Sequence, residues 1–292
     1  MTMSQPSRDI ARLVQDACAG RSQPLDDLLL RRSGLPGPRP NFRLMEQVAV
    51  CLANAGDEGH GMLSRMRAMD VSQAPSTTSF VAFPTVGVLG LGVLASRCGK
   101  VEERGAVLAR LREHADDARR ELRDAVVRGL EMCWKKAPEV TVECLRTWSE
   151  DYFSAVQMLR AIASETLLQQ TRRASLIGPV LARVDEAFVL AAQASRAHQR
   201  YQGYRALLRS ISDAVVALGK RHPSEIAQWI SQHAPRATPE LLESLEASLR
   251  KLQQQGLPVS RYEDLKQVLS DQQPPARDPR WNVGPTRRRG KN

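Results

Sequence analysis

The sequence predicts an all-α protein built from stacked pairs of helices, and three observations carry that prediction. Aromatic residues make up only 4% of the 292 residues, too few for the aromatic and β-branched strands of a sandwich or barrel. No run shows convincing alternation of apolar and polar residues, whereas apolar positions recur at three- and four-residue spacing along most of the chain. One helix–turn–helix pattern also returns after a constant offset of 34 residues, the mark of a repeat architecture.

The elements follow in order. Ile10, Leu13, Val14 and Ala17 lie on one face of a first helix, and Leu25 to Leu30 indicate a second. Residues Ser33 to Asn41 read SGLPGPRPN; three prolines and two glycines exclude regular structure and force a stiff elbow carrying Arg39. Asn41 is placed to cap a helix through Leu44, Val48 and Leu52. Met62, Met66 and Met69 mark the face of the next helix. Phe80 to Ala95 reads FVAFPTVGVLGLGVLA, apolar all round, which predicts a buried helix; it is shorter than the roughly 20 residues needed to cross a bilayer. Further stripes run through Leu108 and Leu111, Leu122 to Cys133, Val142 to Trp148, Val156 to Ala163, Val180 to Ala191, and Leu207 to Leu218. Pro223-Ser224-Glu225 and Thr238-Pro239-Glu240 open two more helices, since proline and acids suit a first turn.

Aligning Leu108, Leu111, His114, Asp117, Leu122 and Ala125 on Val142, Leu145, Trp148, Asp151, Val156 and Leu159 gives the 34-residue offset. Each unit is a helix, an acidic turn (Ala115-Asp116-Asp117, then Ser149-Glu150-Asp151) and a second helix. The pattern resembles HEAT-type repeats, most closely in HADDARRELRDAVVRGLEM from His114 to Met132. The resemblance implies a right-handed α-solenoid of HEAT-like helix pairs over residues 41–256, with a helical cap at 1–40 and a short helix and disordered basic tail at 257–292. Such pairs stack because one hairpin cannot bury both its apolar faces. Arg119, Arg120 and Arg123 are expected to meet Glu113, Asp116 and Asp117 across the first acidic turn as a staple.

The net charge of +10 is local. Arg277 to Asn292 and Ala191 to Arg221 each hold six basic residues and one acid, and the remainder is neutral. Five cysteines without a C-x-x-C pair point to free thiols and a reducing cytoplasm. No secretory signal pattern is read at the N-terminus.

Motifs for chemistry are scarce. The chain has no phosphate-binding glycine loop, no zinc-ligand spacing among its histidines and cysteines, and no nucleophile elbow. No catalytic residue, cofactor, metal or small-molecule substrate is expected. A weaker resemblance is to HEAT-like bacterial alkylpurine DNA glycosylases, which hold a damaged nucleotide with aromatic residues, an Asp and an Arg. Trp148 and Asp151 sit at a comparable helix end, but Tyr152-Phe153-Ser154 stands where that family has an aromatic-Arg-Arg run.

The basic zone at 191–221 is the stronger binding candidate. With a helix ending near Gly203, Arg196 and Arg200 share one face and Arg205 and Arg209 another, with Tyr201 and Tyr204 between them. Guanidinium groups interleaved with aromatic rings suit an acidic protein partner or a phosphate backbone with a stacked base. The expected function is a non-catalytic scaffold that binds a protein partner on its concave face. Nucleic-acid binding through the 191–221 zone and the tail is the alternative.

Overall fold

Capping chemistry sets the helix ends. The structure, a computed structural model, describes residues 7–272, and there every regular element is helical: fifteen α-helices and four short 3-10 turns, without a strand. Ser7 accepts the Ile10 amide and opens α1 (Arg8–Cys18). After α2 (Gln23–Arg32), the elbow closes with the Asn41 amide 2.6 Å from the Ser33 carbonyl. Gly34 has φ 72°, and a Cβ there would lie 2.6 Å from the Arg39 carbonyl, so only glycine fits. The Asn41 side chain accepts the Leu44 amide at 3.1 Å and starts α3 (Phe42–Asn54), as the sequence predicts. Arg39 stays exposed.

Past α4 (Gly56–Arg67) and a 3-10 turn at Ser79–Val81, α5 (Ala82–Arg97) buries 14 of its 16 residues. It is flanked by α3, α4, α6 (Val101–Arg112) and α7 (Arg120–Lys136). Ser79–Arg97 is long and apolar enough to cross a membrane, yet 83% of its most apolar window is buried against these neighbours. Glycines make the close packing feasible. A Cβ on Gly87 would come within 2.5 Å of the Arg67 amide, and one on Gly92 within 2.3 Å of the Gly129 Cα. Arg128 of α7 reaches Glu46 of α3 at 3.0 Å and lies 4.4 Å over the Phe42 ring. Carbonyls at the C-terminal end of α5 are also met by Arg104: Nε donates to Ala95, which accepts the Cys98 amide as well, at 3.0 Å, and Nη2 donates to Cys98.

The chain continues through α8 (Pro138–Cys144), a 3-10 turn at Arg146–Glu150, α9 (Tyr152–Ile162), α10 (Glu165–Gln170) and α11 (Ala174–Ala192). A 3-10 turn at His198–Arg200 leads to α12 (Gln202–Gly219) and α13 (Pro223–His233). Another at Ala234–Arg236 precedes α14 (Pro239–Gln254) and α15 (Val259–Asp271). Pro223 and Pro239 occupy first turns as expected, and Thr238 caps α14 by accepting the Leu241 amide. The helices α3, α5, α7, α9, α12 and α14 pack each on the next, with α4, α6, α8, α11, α13 and α15 packed against this series. A single apolar core runs from Ile10 to Leu269. The tail from residue 273 lies outside the described residues.

Both acidic turns tie distant segments together, by different means. Asp151 caps α9 through the Ser154 amide at 2.8 Å, and Arg112 of α6 donates to its carboxylate at 2.8 Å and to Glu150 at 2.9 Å. Asp117 is held by Arg119, which is 5% exposed: Nε and Nη2 donate to its two oxygens at 2.9 and 2.8 Å. The remaining Nη1 reaches the carbonyls of Met69, Asp70 and Ala74. Arg123 donates to the Asp117 and Ala118 carbonyls, while Arg120 pairs with Asp124. Glu113 and Asp116 stand outside these ion pairs.

Burial alone would raise the carboxyls of Asp117 and Asp151, but the hydrogen bonds and the adjacent guanidinium outweigh it, so both lie below the ordinary 3.8. The stability they contribute is complete above that value and is lost as pH falls through their lower folded values. Circular dichroism during acid titration should show a loss of stability setting in below about pH 4. Asp117→Asn should be less stable at pH 7 and lose less on acidification.

Candidate functional site

The exposed arginines of the 191–221 zone come from a turn and a helix, not from two helices. The α11 helix stops at Ala192, Arg196 lies in the following turn and Arg200 ends a 3-10 turn. The physical reason is local: the Ser195 carbonyl accepts the Gln199 amide at 3.0 Å and its hydroxyl accepts the His198 amide at 3.3 Å. A serine side chain here competes with helical hydrogen bonding. Arg205 and Arg209 do share one face of α12, and all four guanidinium-bearing residues are exposed.

The two tyrosines separate. Tyr201 is 51% exposed, whereas Tyr204 is 1% exposed and belongs to the core. On α12, Tyr204 is three residues before Leu207 and seven before Ile211, so it falls on the buried apolar stripe. Its expected role as a surface contact is therefore withdrawn. Burial pushes its phenol above the ordinary value, and the same cause raises the phenol of Tyr152.

Three further aromatic residues join the site that the spacing of arginines did not reveal. The Tyr152 ring lies 6.3 Å from Tyr201, 6.0 Å from Tyr204 and 6.1 Å from His198, and Phe153 meets Tyr201 edge-on at 5.8 Å. These separations are those of mutually packed rings. Gly203 provides the space, since a Cβ there would lie 2.9 Å from the Tyr201 ring and 3.1 Å from the Tyr152 Cβ. The first turn of α9 thus supports Tyr201 from below.

Electrostatically the patch differs from its surroundings. Several arginines elsewhere are neutralised: Arg128 by Glu46, Arg160 by Asp124, and Arg112 by Glu150 and Asp151. Farther along α12, Asp213 pairs with Lys251. Among the described residues, Arg196, Arg200, Arg205 and Arg209 form no ion pair. Four exposed guanidinium groups along residues 196–209, a stretch that also carries the exposed Tyr201 ring, offer bidentate donors for carboxylate or phosphate.

Other chemistry-bearing residues are occupied structurally. Trp148 is 1% exposed and Asp151 is spent on the α9 cap and Arg112. His233 stacks on Trp229 at 4.3 Å, donates from Nδ1 to the Trp229 carbonyl at 2.8 Å, and turns Nε2 to Asp185, binding α13 to α11. Among the described residues no group of three His, Cys, Asp or Glu side chains is arranged to hold a metal ion, and the five cysteines are free thiols. Comparison with known proteins finds no family model, curated protein or solved structure that matches this chain.

Proposed function

We propose that the chain is a non-catalytic interaction scaffold in which Arg196, Arg200, Arg205 and Arg209, set around Tyr201, bind an acidic segment of a protein partner. The observation that carries this reading is the set of four exposed guanidinium groups that form no ion pair among the described residues, clustered within residues 196–209. An acidic segment supplies the missing carboxylates, and the Tyr201 ring supplies apolar area at low entropic cost. The fold we assign is a right-handed α-solenoid of HEAT-like pairs over residues 41–256, capped by 1–40, with the patch on its concave side. The succession of α3, α5, α7, α9, α12 and α14, each backed by another helix, supports the stacking. The recurrence of helix, acidic turn and helix in α6–α7 and α8–α9 supports the repeat. Free cysteines support a reducing, cytoplasmic setting.

Nucleic-acid binding is a second reading, favoured by one observation: the Tyr201 ring is half exposed among arginines, where a base can stack. Fluorescence anisotropy separates the two. A labelled peptide of alternating Glu and Phe residues and a labelled single-stranded oligonucleotide are titrated with the full chain at 50 and 200 mM salt. The scaffold reading expects the peptide to bind, and Arg205→Glu with Arg209→Glu to weaken it by on the order of a hundredfold with folding unchanged. Tight oligonucleotide binding with a log–log salt slope of about −3, as four phosphate contacts require, together with no peptide binding, would replace it with the nucleic-acid reading. If neither binds, both readings fall.

A further inference from the structure

A cavity between α4, α5 and the α1–α2 turn joins an apolar floor to two opposite charges. Met62 and Met66 of α4, Met69 just beyond that helix and Phe83 of α5 line a volume of about 430 Å³, within the roughly 300–1,000 Å³ of small-molecule sites. Met62, Met66 and Phe83 are each 7% exposed. Asp26 of α2 and Arg65 of α4 line the same cavity. Arg65 is exposed and Asp26 half-buried, so both charges stand nearer to solvent than the floor does.

The two charges are not spent on each other. Among the described residues neither Asp26 nor Arg65 joins an ion pair. The Asp26 carboxylate accepts the Ser22 hydroxyl at 2.9 Å and keeps further acceptor capacity, while Arg65 offers a fork of donors. A ligand carrying only a carboxylate would suit Arg65 and be repelled by Asp26. One carrying only an ammonium would suit Asp26 and be repelled by Arg65. A molecule with both groups at one end and an apolar body at the other satisfies the whole lining. Methionine adapts its shape to such a body at small cost and makes favourable sulfur contacts with aromatic rings.

We infer that this cavity binds a free α-amino acid with a large apolar side chain. Its carboxylate pairs with Arg65, its ammonium with Asp26, and its side chain lies on Met62, Met66, Met69 and Phe83. The amino acid is held and not transformed. The site is remote in sequence from the arginine patch and does not depend on the reading of that patch.

The test is a titration of the full chain, labelled with ¹³C at its methionine methyl groups, with L-phenylalanine, L-leucine and L-methionine at pH 7. The Met62, Met66 and Met69 resonances should shift along one saturable curve, while those of Met132 and Met158 stay in place. Phenylpropionate, phenethylamine and glycine, which lack the ammonium, the carboxylate and the side chain in turn, should each bind more weakly than phenylalanine by on the order of tenfold or more. Arg65→Gln and Asp26→Asn should each weaken phenylalanine binding to a similar extent. Arg65 is exposed, so thermal unfolding of Arg65→Gln should match the wild type. No saturable shift with any of the three amino acids, phenylpropionate binding as tightly as phenylalanine, or undiminished affinity in both variants would overturn the assignment.

Discussion

Gly92→Ala is expected to destabilise the protein by about 2 kcal/mol, while Gly105→Ala, the same change on the adjacent helix, is expected to stabilise it by up to about 1 kcal/mol. The reason for the opposite signs is geometric. A Cβ on Gly92 would lie 2.3 Å from the Gly129 Cα, and backbone cannot swing aside; a Cβ on Gly105 meets only the Cys144 Sγ, at 4.0 Å. Alanine gains helix propensity at both positions, by about 1 kcal/mol. Only at Gly92 does overpacking exceed that gain, as α5 and α7 are forced apart. Thermal unfolding by differential scanning calorimetry checks both variants. Equal shifts would mean that α5 does not sit as close to α7 as described.

Arg119→Met should cost about 3 kcal/mol, since it strands a largely shielded carboxylate and several carbonyls at once. Among the described residues Arg119 is the only guanidinium in hydrogen-bond contact with the Asp117 carboxylate, and its Nη1 also serves the loop carbonyls of Met69, Asp70 and Ala74. Removing it frees the acidic turn from the segment between α4 and α5. The penalty should shrink on acidification, because protonated Asp117 no longer needs its counter-ion. Denaturant unfolding at pH 7 and at about pH 3, below the ordinary carboxylate value, measures this directly. A cost independent of pH would assign the loss to packing alone.

Much of the local structure was legible in the residues. The elbow at Ser33–Asn41 and the cap on α3 follow from proline, glycine and asparagine chemistry acting over a few bonds, and so do the starts of α13 and α14. The buried α5 followed from the uncharged run Phe80 to Ala95, but its glycine contacts depend on which helix lies opposite. The break after α11 was not legible. Residues 193–202 contain neither proline nor glycine, so the four-residue spacing of Arg196 and Arg200 read on as helix, while Ser195 ends it locally.

The site divides along the same line. Exposure of Arg205 and Arg209 followed from their position opposite Leu207, Ile211 and Val215. Tyr204 needed the same rule applied more strictly, because three and seven residues from Leu207 and Ile211 is an inward position. Tyr152 and Phe153, about fifty residues earlier, join the patch only through the packing of α9 on α12. No local signal marks such a partnership. Likewise Arg119 bridges two turns whose proximity is set by the stack, so its charges in sequence named a staple without naming the loop it holds.

The central claim is that the four unpaired arginines bind acidic groups. It is tested most directly by the arginine Nε–Hε resonances in heteronuclear NMR spectra, followed while the acidic peptide is titrated into the full chain. The resonances of Arg196, Arg200, Arg205 and Arg209 should shift together and saturate at one equivalent. Those of Arg104, Arg112, Arg119 and Arg128, already bonded within the fold, should stay in place. Shifts confined to the paired arginines, or no shift at the four, would contradict the account.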